Sequence, residues 1–158
     1  MRQLMQNAHI VSGLSNASVS SVTPDYVSLK NYQHLTVIIS LKCATGVAAC
    51  AVTLKQATAV AGTDEKALGF SYQWANADVT TETFTKTAVT SNTFSTAATV
   101  TNKVHVIEVD TDTLDVDNSF DCVRVALADA AATTATVTYI LSQPRFIDQT
   151  THATSITD

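Results

Sequence analysis

The sequence predicts one all-β domain, a jelly roll or related antiparallel β-sandwich of about eight strands with little or no helix. Several segments alternate apolar and polar residues with a period of two, which is typical of strands with one buried face. The chain is rich in Val and Thr, which favour strands, and contains only four Gly and two Pro. A chain of 158 residues fits a single domain with a substantial core.

The first half of the chain contains four predicted strands. Weaker ones lie near residues 9–14 and 26–30, and clear ones lie at 34–42 and 51–56. In the third strand Leu35, Val37 and Ile39 share the face that we expect to be buried. Because a short loop separates the third and fourth strands, we expect residues 35–56 to form a hairpin.

Aromatic residues alternate with polar ones in the next segment, at residues 68–74. Phe70, Tyr72 and Trp74 fall on one face, and this spacing predicts the aromatic centre of the core. Residues 75–101 are rich in Thr, Ser and Asn, so we expect loops and short edge strands there. Within them, 80–88 is the only candidate for a helix, because it has a start resembling a capping box, but its high Thr content disfavours a helix.

The last three predicted strands lie at 103–110, 122–127 and 136–142. The apolar residues of the first change face along the strand, which indicates a bulge or burial on both faces. Val123 and Val125 lie on the inner face of the second, and Val137 and Tyr139 on that of the third. We expect these last two strands to pair or to lie close to each other across the core.

The ends differ from the middle of the chain. Residues 1–8 and 148–158 lack an apolar face, so we interpret them as an N-terminal arm and a polar C-terminal tail flanking a domain at 9–147. Such arms are mobile or bind neighbouring subunits.

Charge and hydropathy restrict the partners. The net charge is −5 and the basic residues are scattered, so we expect no nucleic-acid partner. No stretch approaches 18 consecutive apolar residues, and the first residues lack the continuous apolar core of a signal peptide. We therefore expect no membrane association, and synthesis in a cytoplasm.

An acidic segment at 110–121 is the candidate metal site, with Asp115 and Asp117 as the calcium ligands it would offer. A calcium loop needs a glycine at its sharp turn and a closing bidentate glutamate. Phe120 follows Ser119 where the glycine is required, and Ala126 occupies the closing position. We therefore favour a solvated turn between two strands and predict no metal and no cofactor.

The three cysteines, Cys43, Cys50 and Cys122, match no usual zinc spacing, and we interpret them as buried reduced thiols. A disulfide between Cys43 and Cys50 is geometrically possible if the strands flanking them pair.

Catalytic motifs are missing from the sequence: it contains no G-x-S-x-G, no H-E-x-x-H and no phosphate-binding loop. His105 near Glu108 is the one pair we considered, and we predict that the chain is not an enzyme. A glycan-binding module is the alternative from another class, since β-sandwiches present exposed aromatics to sugar rings. Trp74, or else Tyr26 and Tyr32, would supply such a platform, although the alternation favours Trp74 in the core.

Three blocks of sequence together resemble a family of small structural proteins of tailed bacteriophages. They are PDYVSLKNYQHLTVIISL at 24–41, VTLKQATAVAGTDEKALGFSYQWAN at 52–76, and VHVIEVDTDTLDVDNSFDCVRVALADAAATTATVTYILSQPRF at 104–146. The Thr-rich TETFTKTAVTSNTF between the last two blocks fits as well. The chain departs from the pattern at Asn118-Ser119, where Asn-Gly is expected, and in its longer polar tail after Arg145-Phe146.

The resemblance implies a cement or decoration protein with a jelly-roll fold, located on the outer surface of the virion. It implies the major capsid protein as partner and a homo-oligomer, with a trimer favoured. Such a protein is made in the cytoplasm of the bacterial host and bridges neighbouring capsid subunits. The alternative is a glycan- or host-binding β-sandwich module of a phage fibre or head surface.

Overall fold

The computed structural model of the chain describes residues 4–43, 49–98, 100–128, 133–146 and 155–156. A single-turn helix, α1 (Leu4–Asn7), precedes eleven strands, and three one-turn 3₁₀ segments follow β6 and β9. The strands are β1 (Ala8–Ser18), β2 (Val27–Ser28), β3 (Tyr32–Cys43), β4 (Ala51–Ala57), β5 (Lys66–Ala67), β6 (Tyr72–Asn76), β7 (Thr85–Ala88), β8 (Thr93–Ser95), β9 (Asn102–Asp110), β10 (Cys122–Ala128) and β11 (Thr133–Pro144).

Two antiparallel sheets form a sandwich, which confirms the predicted fold class. Sheet A has the order β1-β11-β3-β9-β6-β7, and sheet B has the order β2-β10-β4-β5, with β8 also paired to β4. The pairs β1/β11, β2/β10, β3/β9 and β4/β5 are nested, as in one long hairpin that is rolled up. This nesting is the jelly-roll arrangement.

The core lies between the sheets and follows the alternation of the sequence. Leu35, Val37 and Ile39 of β3 are buried, and they face a cluster of buried side chains from both sheets. The other predicted core residues of the last two strands are buried as well, namely Val123, Val125, Val137 and Tyr139.

Tyr139 connects the two sheets through the core. Its hydroxyl accepts a hydrogen bond from the Val125 N–H at 3.2 Å and donates one to the Asp25 carbonyl at 3.0 Å. β2 pairs only with Cys122 and Val123 of β10, so it does not reach Val125. The Tyr139 hydroxyl therefore provides the hydrogen-bond partner for the Val125 N–H that β2 does not supply. The predicted proximity of β10 and β11 is therefore correct as contact across the core, whereas they do not pair.

A bulge in β1 makes room for the Tyr139 ring. The register of β1 against β11 shifts between Ser12 and Leu14, so Gly13 is the extra residue. A Cβ atom added at Gly13 would lie 2.3 Å from Cε2 of Tyr139. Glycine is thus required here because the ring approaches the backbone closely.

The predicted hairpin at residues 35–56 is wrong. β3 pairs with β11 and β9 in sheet A, whereas β4 pairs with β10, β5 and β8 in sheet B. The connection between them crosses from one sheet to the other, as a jelly roll requires. A period of two identifies the buried face of each strand but not the sheet to which the strand belongs.

Two local features considered for the second half are not formed. β9 pairs with β3 in an unbroken register and only one of its faces is buried, so it has neither the bulge nor the burial on both faces that the sequence indicated. The candidate helix at 80–88 is a one-turn 3₁₀ segment at Val79–Thr81, capped by Asp78, followed by β7.

The predicted aromatic centre of the core is wrong for two of its three residues. Tyr72 is 52% exposed and Trp74 40% exposed, while Phe70 is half-buried against the core. Gln73, between them in sequence, faces inward instead. Conversely Tyr26 and Tyr32, considered as surface aromatics, are buried.

The predicted C-terminal tail lies mostly outside the described residues. Within its described part, Ser155 is buried, and its carbonyl accepts a hydrogen bond from the Ser28 N–H at 2.7 Å. At this point the tail is bound along β2 of its own domain, which differs from the expectation that the tail lacks contacts with its own domain.

Candidate interaction surfaces

The most prominent surface feature is an aromatic corner, formed by Tyr72 and Trp74 of β6 and Lys86 of β7. The Lys86 ammonium lies 4.1 Å from the centre of the Tyr72 ring and 5.7 Å from that of Trp74. Since β6 and β7 pair with Trp74 opposite Lys86, the sheet register itself produces this cation–π contact.

An open cleft of about 330 Å³ lies beside the aromatic corner. Tyr72, Trp74 and Lys86 line one part of it, and Glu108 and Asp110 from β9 line another. The cleft therefore combines flat apolar rings with carboxylate acceptors. Such a set can stack a sugar ring and accept hydrogen bonds from its hydroxyl groups, or it can hold a cationic side chain.

The outer face of sheet A is uncharged over its central part. We use the name uncharged face for the outward residues of β1, β11, β3 and β9 between Lys42 at one end and His34 and Asp110 at the other, with Glu108 of β9 at its margin opposite Thr36. They are Ile10, Ser12, Thr36, Ile38, Ser40, Val104, Val106, Thr136, Thr138 and Ile140, and strand pairing places them in continuous rows.

The outer face of sheet B is charged instead. Glu65 accepts hydrogen bonds from Lys55, Arg124 and the Tyr26 hydroxyl, the last at 2.5 Å. Burial opposes ionisation of Glu65, but the bonds from Lys55 and Tyr26 and the charge of Arg124 together lower its pKa. Burial and the bond to Glu65 raise the pKa of Tyr26. Each charged group in this network thus has a partner within the same face.

A buried polar cluster lies between the sheets at the inner side of β9. The Lys103 ammonium lies 3.5 Å from both the Cys43 sulfur and the Thr96 hydroxyl, and only 1% of Lys103 is exposed. His105 Nδ1 lies 2.7 Å from Gln73 Oε1. Burial, and next the charge of Lys103, lower the pKa of His105 to about 4, so the ring is neutral at pH 7. The sequence predicted neither residue in the core.

The acidic segment joins two strands, as predicted, and these strands lie in different sheets, β9 in sheet A and β10 in sheet B. Asp115 accepts hydrogen bonds from Lys66 and from Asn118, and these bonds lower its pKa. Asp117 is exposed. Among the described residues, no three His, Cys, Asp or Glu side chains are grouped so that they could hold a metal ion.

The three cysteines are buried thiols, in agreement with the sequence interpretation. The strands that would have aligned Cys43 with Cys50 lie in different sheets. The condition for the candidate disulfide is therefore not met.

One histidine arrangement has the residue types of an acyl-transfer triad. His34 Nδ1 lies 2.6 Å from Asp110 Oδ1, and His34 Nε2 lies 3.5 Å from the Thr36 hydroxyl. Such a triad also needs free N–H donors for an oxyanion. Thr36 lies inside β3, which is paired on both sides, so its neighbouring N–H groups belong to the sheet. The pair considered from sequence is not formed either, since His105 is buried on the inner face and Glu108 is exposed on the outer face.

No helix in the described part of the chain is long and apolar enough to cross a membrane.

No protein-family model matches the sequence, and no curated protein matches it significantly. Solved structures give loose likenesses. The SPBc2 prophage-derived protein YomS is 9% identical with a TM-score of 0.47, over 85% of this chain and 92% of that one. A structure of infectious bursal disease virus, Gx strain, is 7% identical with a TM-score of 0.43, over 89% of this chain and 33% of that one.

A third likeness is to the Bacillus endospore appendages that form disulfide-linked pili. It has 14% identity and a TM-score of 0.33, over 87% of this chain and 89% of that one. With TM-scores below 0.5, none of the three defines a function for this chain.

Proposed function

We propose that the chain is a non-enzymatic structural protein of a tailed-phage virion, which acts as a cement or decoration protein on the outer surface of the capsid. One observation carries the proposal. The phage family that the sequence blocks resemble implies a jelly roll, and the nested strand pairing is that of a jelly roll. Strand periodicity alone did not distinguish this topology from other sandwiches.

The aromatic corner is the surface we assign to the contact with the major capsid protein. Trp and Tyr are enriched among the residues that dominate binding energy at interfaces. Trp74 and Tyr72 are two of the large apolar side chains that the described surface exposes, and both lie on β6 beside Lys86. Lys86 beside them adds a charge that can pair with a carboxylate of the shell.

Binding to purified shells that lack this protein tests the proposal. Saturable binding that raises the melting temperature of the shell is the expected result. Trp74→Ala should weaken that binding about 30-fold, the effect of losing roughly 2 kcal/mol at an interface hot spot. Val116→Ala is the matched control, because Val116, in the acidic connection, is also exposed (55%) but lines neither the corner nor its cleft. Failure of the wild-type chain to bind any shell contradicts the proposed function.

The cleft beside the corner favours a second candidate function, a glycan-binding module. Its rings and its two carboxylates, Glu108 and Asp110, are the groups that sugar-binding sites combine. Glycan-array binding that is lost in both Trp74→Ala and Glu108→Gln, together with no binding to shells, would replace the first candidate by the second. Glu108→Gln separates the two readings because it keeps the aromatic surface intact.

A further inference from the structure

The buried polar cluster between the sheets places an amine against a thiol. The Lys103 nitrogen lies 3.5 Å from the Cys43 sulfur, and only 1% of Lys103 and 2% of Cys43 are exposed. A lysine is almost never fully buried unless it is paired with a carboxylate. Among the described residues the ion pairs all involve other side chains, so no carboxylate holds the Lys103 nitrogen away from the sulfur. This contact therefore needs an explanation other than a salt bridge.

The backbone of sheet A fixes the contact between the two side chains. Lys103 of β9 pairs with Leu41 of β3, and Cys43 follows two residues later on the same inner face of β3. Diagonal neighbours of this kind on adjacent strands are within reach of a long side chain. Cys43 is held on both sides, because it pairs with Thr133 of β11 and its N–H donates to the Thr101 carbonyl at 2.7 Å. The sheet itself therefore positions the nitrogen beside the sulfur.

Burial restricts what can react with the Cys43 sulfur. A thiol that is 2% exposed is closed to glutathione and to a cysteine of another chain, whereas dioxygen is small and apolar enough to enter a protein core. An oxidised cysteine sulfur condenses with a nucleophile beside it, which can be a nitrogen as well as a second thiol. The Lys103 amine is such a nucleophile, and it is in contact with the Cys43 sulfur.

We propose that dioxygen links Cys43 and Lys103 covalently through one oxygen atom, as a sulfur–oxygen–nitrogen bridge. The thiol loses its hydrogen and the neutral amine loses one of its two hydrogens. One S–O bond and one O–N bond form, and the second oxygen atom of dioxygen leaves as water with the two hydrogens. Sulfur and nitrogen each lose two electrons, and these four electrons reduce the dioxygen molecule. The intervening atom spans the gap between nitrogen and sulfur with less movement than a direct S–N bond would need.

The bridge joins β3 to β9 between residues that are 60 positions apart in the chain. A cross-link that closes a loop of this length restricts the unfolded chain and stabilises the folded one, as a disulfide does. It forms with dioxygen and is removed by thiol reductants, so the linked form belongs outside a reducing compartment. The inference goes beyond the proposed function and does not depend on it, because a chain that binds no shell can still form the bridge.

The test is the mass of the full chain after incubation in air, compared with the chain kept under argon with excess dithiothreitol. Air should raise the intact mass by about 14 Da, since one oxygen is gained and two hydrogens are lost. Trypsin should no longer cleave after Lys103, so residues 87–124 should appear linked to residues 43–55, and neither peptide contains a methionine. Dithiothreitol should restore the original mass, with two molecules supplying the four electrons and the oxygen leaving as water. The melting temperature of the linked form should exceed that of the reduced form by at least about 5 °C.

Cys43→Ser and Lys103→Met should each abolish the mass increase. The matched control is Cys50→Ser, which should retain it, because Cys50 is buried in the same cluster and its N–H donates to the Thr96 hydroxyl at 3.0 Å. The peptides of the wild-type chain decide the question even where a variant does not fold. An unchanged mass in air overturns the proposal. So does a loss of about 2 Da, as in a disulfide between Cys43 and Cys50, or a gain of about 16 or 32 Da with normal cleavage after Lys103, which is oxidation of sulfur alone.

Discussion

Replacing Tyr139 by Phe removes one buried oxygen atom from the centre of the domain and should destabilise it substantially. The hydroxyl has two partners, the Val125 N–H at 3.2 Å and the Asp25 carbonyl at 3.0 Å. Val125 is fully buried, so its N–H would lose its partner without access to water. Asp25 is an exposed residue, so we expect its carbonyl, unlike the Val125 N–H, to regain a hydrogen bond from solvent.

The expected magnitude follows from these two environments. A buried N–H without a partner costs about 1–3 kcal/mol, and the second hydrogen bond contributes about 1 kcal/mol. The free energy of unfolding should therefore fall by about 2–4 kcal/mol. For a domain of this size, with an unfolding entropy of about 0.33 kcal/mol/K, the melting temperature should fall by about 6–12 °C.

Urea denaturation followed by tryptophan fluorescence measures this change, with Trp74 as the only tryptophan. The matched control is Tyr72→Phe, because the Tyr72 side chain is half-exposed and its hydroxyl is not buried in the core. That variant should change the free energy of unfolding by less than about 0.5 kcal/mol. Equal stability of the two variants would show that the Tyr139 hydroxyl does not connect the sheets as described.

Three further predictions concern other sites. The pKa of His105 is lowered to about 4 in the folded chain, so between pH 6.5 and 4 the unfolded chain binds a proton that the folded chain does not. The free energy of unfolding should therefore decrease as the pH falls through this window, by about 2 kcal/mol at pH 5. Urea midpoints at pH 7 and pH 5 measure this decrease, and His105→Phe should remove most of it. Gly13→Ala should lower the melting temperature by at least 5 °C, since its Cβ would lie 2.3 Å from the Tyr139 ring; an unchanged value would mean that the ring is free to move. Millimolar calcium should leave the melting temperature unchanged, because Asp115 is already bonded to Lys66; an increase that Asp117→Ala abolishes would restore the acidic segment as a metal site.

Two long strands, β3 and β11, could be predicted from sequence because their burial alternates over residues 35–43 and 133–141. Leu35, Val37 and Ile39 face the core, and so do Val137 and Tyr139 on the neighbouring strand. The sheet to which each strand belongs, A or B, could not be predicted in the same way. Alternation fixes a face, whereas partner choice depends on how distant strands meet, and the connection from β3 to β4 crosses the sandwich.

The surface site was mispredicted for a related reason. Aromatic residues were assigned to the core because they bury more apolar area than Gln73 does. The inner side of β9 at this end of the sandwich is polar, however, with Lys103 and His105, and Gln73 provides the partner that His105 requires. Tyr72 and Trp74 consequently face outward. The sequence contained one signal of this polarity. Lys103 and His105 are spaced by two from each other and from Ile107, so a strand that buries Ile107 also turns Lys103 and His105 inward, while Val104 and Val106 face outward.

The nested pairing of strands also determines when the protein can fold. None of β1, β2, β3 and β4 pairs with another of these four, and each pairs with strands that come later in the chain. A nascent chain that has emerged only as far as β4 therefore contains four strands without pairing partners, and sheet A closes only when β11 arrives between β1 and β3. Folding dominated by such distant contacts is slow, and unpaired strands are prone to aggregate. Emergence of β11 from the ribosome, followed by closure of a loop that contains nearly the whole domain, should thus limit the rate at which the native domain forms.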